Sequence, residues 1–246
     1  MKIPKCLISC LMALSLARTA SASTVIAVPG PVGDAANGLP FGGVAAGASL
    51  RYQQVYGASA FSPIGQGGLI TALGFNIKSG GAFGGPQPPD IQIDFSTTSK
   101  PVDGLSTTFA ANVGGDDTVV VARGPLGIQN NNPNAPPGFG ILVSLTTPFF
   151  YNPAAGNLLM DVRYYQLPSG GFPSLYDASN DLGDTVSRVS AFNVVDATGI
   201  ADTIGLNTAF VVTPVPEPGS GILLLAGLSV LAIFIRPLTL RRSPRN

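Results

Sequence analysis

The 246-residue sequence contains no histidine and no tryptophan, and its two cysteines, Cys6 and Cys10, both fall within the first ten residues. Ser-His-Asp and Cys-His relays need an imidazole to move the proton, so neither can be assembled within this chain. Zinc held by its usual nitrogen and sulfur ligands is excluded on the same ground. No phosphate-binding loop is present either, because Gly65-Gln66-Gly67-Gly68 lacks the later glycine and lysine and is expected to form a turn. Charge is also scarce: charged residues make up 11% of the chain, and Glu217 is the single glutamate. Residues 23 to 218 hold six basic side chains (Arg51, Lys78, Lys100, Arg123, Arg163, Arg188) against twelve aspartates and Glu217, a net charge of −7 within a chain that sums to zero. Basic residues so dispersed do not form the clustered patch that a phosphate backbone requires, so nucleic acid is not an expected partner. No cofactor is expected.

Glycine (31) and proline (22) together make up about a fifth of the chain, and 45% of it is hydrophobic. That is enough apolar surface for a core, and the length suits one folded domain between two specialised ends.

The first 22 residues have the layout of a secretory signal peptide. Lys2 and Lys5 form a charged start, Leu7 to Leu16 an apolar stretch, and Ala20-Ser21-Ala22 a small-residue cleavage site with the cut after Ala22. An apolar run of about ten residues is too short to cross about 30 Å of hydrocarbon at 1.5 Å per residue. A lipid-modified Cys10 would leave almost no apolar stretch ahead of it. After cleavage the chain has no thiol, so its stability must come from core burial rather than disulfides.

At the other end, Val215-Pro216-Glu217-Pro218-Gly219 precedes an apolar run from Ser220 to Ile235, followed by Arg236, Arg241, Arg242 and Arg245. The two prolines around Glu217 remove backbone donors and bias the chain to an extended form that a processing enzyme can grip. Gly219 to Ile235 spans about 26 Å as a helix, and the arginine cluster acts as a stop-transfer signal that holds the C-terminus on the cytoplasmic side. One C-terminal transmembrane helix is expected, with the body facing outward.

This three-part tail resembles the PEP-CTERM sorting signal of Gram-negative bacteria, with Pro216, Glu217 and Pro218 as the short motif. The resemblance implies that an exosortase, a membrane-embedded cysteine protease, recognises the motif and releases or transfers the protein. It further implies transient anchoring in the inner membrane, then a cell-surface or extracellular location, with exopolysaccharide as a candidate partner. Arg51 to Tyr56, Leu105 to Phe109, and Tyr151-Asn152-Pro153 through Asp161-Val162-Arg163 also look like the ectodomain of one group of PEP-CTERM proteins, a likeness that brings no catalytic residues. The expected organisation is a signal peptide over 1–22, an ectodomain over 23–213, and a sorting and anchor segment over 214–246.

Within the body, short apolar runs alternate with Gly, Pro, Asn and Asp clusters, the pattern of strands punctuated by turns. Ile91, Ile93 and Phe95 share one face of a strand while Gln92 and Asp94 share the other, which predicts burial of one side only. Leu73, Phe75 and Ile77 follow the same rule. Further strands are expected near 49–56, 118–122, 139–146, 157–164, 186–195 and 208–213, with proline mostly between them. An all-β, antiparallel, jelly-roll-like β-sandwich follows. Residues 24–48 read as a loose leader, and Ser79 to Pro89 and Gly124 to Gly138 as loops outside the core.

Two features of the body bear on chemistry. Asp177, Asn180, Asp181 and Asp184 lie within eight residues and offer the oxygen donors that calcium accepts, but the spacing departs from the EF-hand and no bidentate Glu follows, so an acidic turn without metal is expected. Asp116-Asp117 are expected at a turn or strand start. The leading expectation is a non-catalytic surface or extracellular-matrix protein. A carbohydrate-binding module would instead group its tyrosines on one exposed face, and an Asp-dependent secreted hydrolase would show two facing aspartates in a cleft, one with raised proton affinity.

Overall fold

Within Asp90–Thr98 apolar and polar side chains alternate from Ile91 to Phe95, and Ile91, Ile93 and Phe95 turn into a core while Gln92 and Asp94 turn away from it. The outward side is nevertheless covered, and Asp94 is 2% exposed. This corrects the one-sided burial expected from the alternation. The computed structural model that shows this describes residues 22–42, 47–79, 88–127, 130–166 and 175–215.

Fourteen strands occur among these residues: β1 Thr24–Val28, β2 Ala35–Asn37, β3 Leu50–Tyr56, β4 Gly68–Phe75, β5 Ile77–Ser79, β6 Asp90–Thr98, β7 Thr118–Pro125, β8 Ile141–Tyr151, β9 Asn157–Gln166, β10 Leu175–Ser179, β11 Val186–Ala191, β12 Ile200–Asp202, β13 Gly205–Leu206 and β14 Thr208–Pro214. They form a four-stranded sheet in the order β1-β14-β4-β8, a six-stranded sheet β12-β11-β3-β9-β6-β7, and a small sheet β13-β10-β2 with β5 beside β10. Every pairing between strands is antiparallel. The result is an all-β sandwich, and Ala22–Val215 form one compact unit. Short 3-10 turns at Ala58–Ile64, Phe109–Ala111 and Pro153–Ala155 are the helical elements of the described residues, none long or apolar enough to cross a membrane. The expected transmembrane segment lies outside the described residues, as does most of the signal peptide.

The main core fills the space between the two larger sheets. Phe210 of β14 meets Tyr56 at 4.8 Å and Phe61 at 5.0 Å between ring centroids, and Phe61 meets Tyr151 at 4.9 Å, all edge to face. A second apolar cluster lies on the other side of the six-stranded sheet, where Val55, Leu159, Val189 and Ala191 pack under Leu105 and Phe109. Those last two belong to residues 101–117, which fold back over the sheet. The small sheet is tied in by Gln54, whose side-chain amide donates to the carbonyl of Leu206 (2.9 Å) and accepts from its N–H (2.8 Å), as a neighbouring strand would.

Three sequence expectations are corrected. Residues 24–48 include β1, which pairs along its length with β14, and β2. Ile77 does not continue the strand of Leu73 and Phe75, because the chain breaks at Asn76 and Ile77 joins β10 in another sheet. The strand expected to reach residue 195 ends at Ala191, where the chain turns back toward β12.

Candidate functional site

The C-terminal motif is positioned by the strand that precedes it. β14 lies between β1 and β4, and its last ladder partner is Gly68 opposite Pro214. One residue further, the Val215 N–H donates to the carbonyl of Gly67 at 3.1 Å. Gly67 has φ +119°, and a Cβ there would lie 2.8 Å from the Tyr151 carbonyl oxygen, so the turn that receives Val215 requires glycine. Gly65-Gln66-Gly67-Gly68 is therefore a turn leading into β4. Pro216, Glu217 and Pro218, together with Arg236, Arg241, Arg242, Arg245 and Ala20, lie outside the described residues; Ala22 is exposed and precedes β1.

The largest polar assembly lies on the outer side of the six-stranded sheet and was missed in the sequence. Arg51 and Gln53 of β3, Asp161 and Arg163 of β9, and Gln92 and Asp94 of β6 face the same way. Asp161 accepts from Arg51 Nε (3.3 Å) and Nη2 (2.7 Å), from Gln53 Nε2 (2.9 Å) and from Arg163 Nη2 (3.3 Å). Asp94, its neighbour across the strands, accepts from Gln92 (2.8 and 3.1 Å) and Arg163. Gln53 also donates to the Phe109 carbonyl (3.2 Å) and accepts from Asn112 (3.0 Å), while Arg51 stacks over the Phe109 ring at 4.6 Å. The network therefore pins residues 101–117 to the sheet. Burial pushes the Asp94 carboxyl above its ordinary range, with the charge of Asp161 adding to the effect. Asp117 is raised as well, by burial first and then by the charge of Asp94.

This is the arrangement nearest to the paired aspartates a hydrolase would need. Both carboxylates are buried and engaged by arginine, and together the two aspartates and two arginines are neutral. A cavity of about 210 Å³ lies elsewhere, against Asp103, Leu105, Leu182, Ser187, Arg188 and Asp202. Its polar groups are engaged with one another and their neighbours: Arg188 forks onto Asp202 (2.8 and 2.9 Å) and donates to Asn37, and Asp103 accepts from the Gly183 N–H (2.9 Å).

Of the candidate calcium donors, Asp181 and Asp184 lie near each other in one turn, and the others have partners of their own. Asp177 is in β10, 3.7 Å from the Lys78 ammonium, Asn180 accepts from Thr203 (2.8 Å), and Asp184 caps the Val186 N–H (2.7 Å). Asp181 contributes its backbone carbonyl to a turn closed by the Asp184 N–H (3.4 Å). Among the described residues no group of three or more acidic side chains is placed to hold a metal. The tyrosines are packing residues: Tyr52, Tyr56, Tyr151, Tyr164 and Tyr176 are fully buried, and Tyr165 lies under the Arg123 guanidinium at 3.6 Å. Asp116 accepts from the Thr97 N–H (2.7 Å) and hydroxyl (2.6 Å) at the turn before β7.

Fold and tail together define a β-domain that carries a separate C-terminal sorting segment. The PEP-CTERM protein-sorting motif matches residues 214–242, so the chain carries that signal, beginning at the last residue of β14. The motif implies export, anchoring in the membrane during sorting, and processing by an exosortase. No curated protein and no solved structure matches the chain.

Proposed function

We propose that this is a non-catalytic protein of the cell surface or extracellular matrix of a Gram-negative bacterium, delivered through its signal peptide and matured at Pro216-Glu217-Pro218 by an exosortase. The observation that carries the reading is the sorting motif matched over residues 214–242, which begins at the last residue of β14. The internal pairing of the buried acids and arginines supports it, because those groups serve the packing of residues 101–117. In this reading the ectodomain contributes bulk and surface to the envelope or its extracellular polymer, exopolysaccharide included. Its chain passes repeatedly from sheet to sheet, which supports a jelly-roll-like winding. The apolar run to Ile235 is the transient anchor, and Arg236, Arg241, Arg242 and Arg245 hold its end inside.

The test is intact mass spectrometry of the protein from its native host, comparing wild type with Glu217→Ala. The wild type is expected to lack residues 1–22 and the residues beyond the motif, while Glu217→Ala accumulates as a folded precursor that retains its tail. Normal maturation of that variant would refute recognition of the motif.

A further inference from the structure

The two larger sheets divide the charge unequally. β1, β4, β8 and β14 contain no Asp, Glu, Lys or Arg, and the 3-10 turns at Ala58–Ile64 and Pro153–Ala155 contain none either. The six-stranded sheet carries Arg51, Arg163, Arg188 and five further charged residues. On the charge-free sheet, Ile70, Phe149 and Val212 turn into the core, so Leu69, Phe150 and Thr213, which lie opposite one another, turn outward. Leu69 is 40% and Phe150 51% exposed, and Val25 and Val215 are comparably open.

These residues cluster at one end of the strands. β1 runs antiparallel to β14 with Thr24 opposite Val212, so the chain enters and leaves the domain at the same end. β4 begins there at Gly68 and β8 finishes there at Tyr151. The apolar run begins at Ser220, five residues after Val215, and five residues reach at most about 18 Å. A chain anchored by that run holds this end of the domain at the headgroup layer. A surface without ionised groups has no charge to strip of water when it meets the interface, and half-exposed Leu and Phe gain by leaving water.

We propose that the exit end of the charge-free sheet, marked by Leu69, Phe150 and Val25, rests on the phospholipid surface while the chain is anchored, and that this contact orients the motif toward the membrane-embedded enzyme. The proposal rests on the sorting reading given above. It predicts a contact independent of lipid charge, made by one end of the domain only.

The test uses the full chain with Cys6→Ser and Cys10→Ser, in which one introduced cysteine is the only thiol. Leu69→Cys, Phe150→Cys or Val25→Cys carries an environment-sensitive dye; Val32→Cys and Phe192→Cys, exposed sites near the opposite strand ends, serve as controls. Each chain is reconstituted in zwitterionic phosphatidylcholine vesicles containing headgroup-spin-labelled lipid. Dye at 69, 150 and 25 is expected to lose most of its fluorescence, unchanged by high salt, while dye at 32 and 192 keeps its own. Equal quenching at both ends, or none at 69 and 150 in chains that float with the vesicles, overturns the proposal. Quenching that appears only after purified exosortase is added overturns it too, in favour of a protein partner. Chains that do not float at all show that the anchoring reading itself is wrong, and flotation separates that failure from the others.

Discussion

Replacing Asp161 with asparagine is the sharpest probe of how residues 101–117 are held. The substitution keeps shape and removes one negative charge from a group that is 3% exposed and accepts from Arg51, Gln53 and Arg163. Two arginines then share Asp94 alone, and the cluster changes from neutral to a net charge of +1. Removing one member of a buried ion pair costs about 3–5 kcal/mol, because the surviving charge is left uncompensated. Arg51 and Arg163 keep 15% and 23% of their side-chain surface in water, which places the cost at the lower end, about 3 kcal/mol. For a domain of this size that lowers Tm by about 6–12 °C. Thermal unfolding of the processed ectodomain, followed by far-UV circular dichroism, measures it. Asp90→Asn is the control, since the Arg123–Asp90 pair is 55% and 33% exposed and its loss should leave Tm nearly unchanged. A double change of Arg51→Met with Asp161→Leu should recover much of the loss, because the Arg163–Asp94 pair then remains intact. Equal, small shifts for Asp161→Asn and Asp90→Asn would refute the assignment of the network as the anchor of the covering segment.

Three further outcomes follow from the same geometry. Asp94, Asp117 and Asp184 all have carboxyls raised above the ordinary 3.8, each chiefly by burial. In the window just above that value the folded chain therefore binds more protons than the unfolded chain, so stability should rise as pH falls through it and level off below; Asp184→Asn should flatten that rise in a Tm series from about pH 7 to about pH 4. A Cβ on Gly114 would lie 1.8 Å from the Thr97 carbonyl oxygen, so Gly114→Ala must displace the end of β6 or residues 101–117, with a loss of about 2–4 kcal/mol readable in urea unfolding. Arg188 joins β11 to Asp202 of β12 and to Asn37 of β2; a lysine cannot reproduce the fork, and Arg188→Lys should speed amide hydrogen exchange at residues 200–202 with little effect on β3.

The long strands were legible because the β-sandwich core imposes a period of two on them. Asp90 to Thr98 shows that period from Ile91 to Phe95, while Leu50 to Tyr56 and Asn157 to Gln166 stood out by their Leu, Val and Tyr content, and each was located to within a few residues. β2, β12 and β13 have two or three residues each, too few for any period to register. β1 has the composition of a strand, but its partner is β14, some 180 residues away, and nothing local in Thr24–Val28 announces that pairing.

The buried network shows a different limit. Arg51 and Gln53, Gln92 and Asp94, and Asp161 and Arg163 each stand two apart on the polar phase of a strand, where alternation alone assigns them to solvent. What buries them is residues 101–117, whose fold depends on Phe109 and Asn112 finding Arg51 and Gln53 about sixty residues earlier in the chain. A pattern read along one strand records which side faces the first core; it holds no information about a second layer laid over the other side. The sorting signal is the opposite case. Pro216-Glu217-Pro218, the apolar run and the terminal arginines are contiguous, and a processing enzyme reads them as extended chain, so their order in the sequence is already the arrangement that acts.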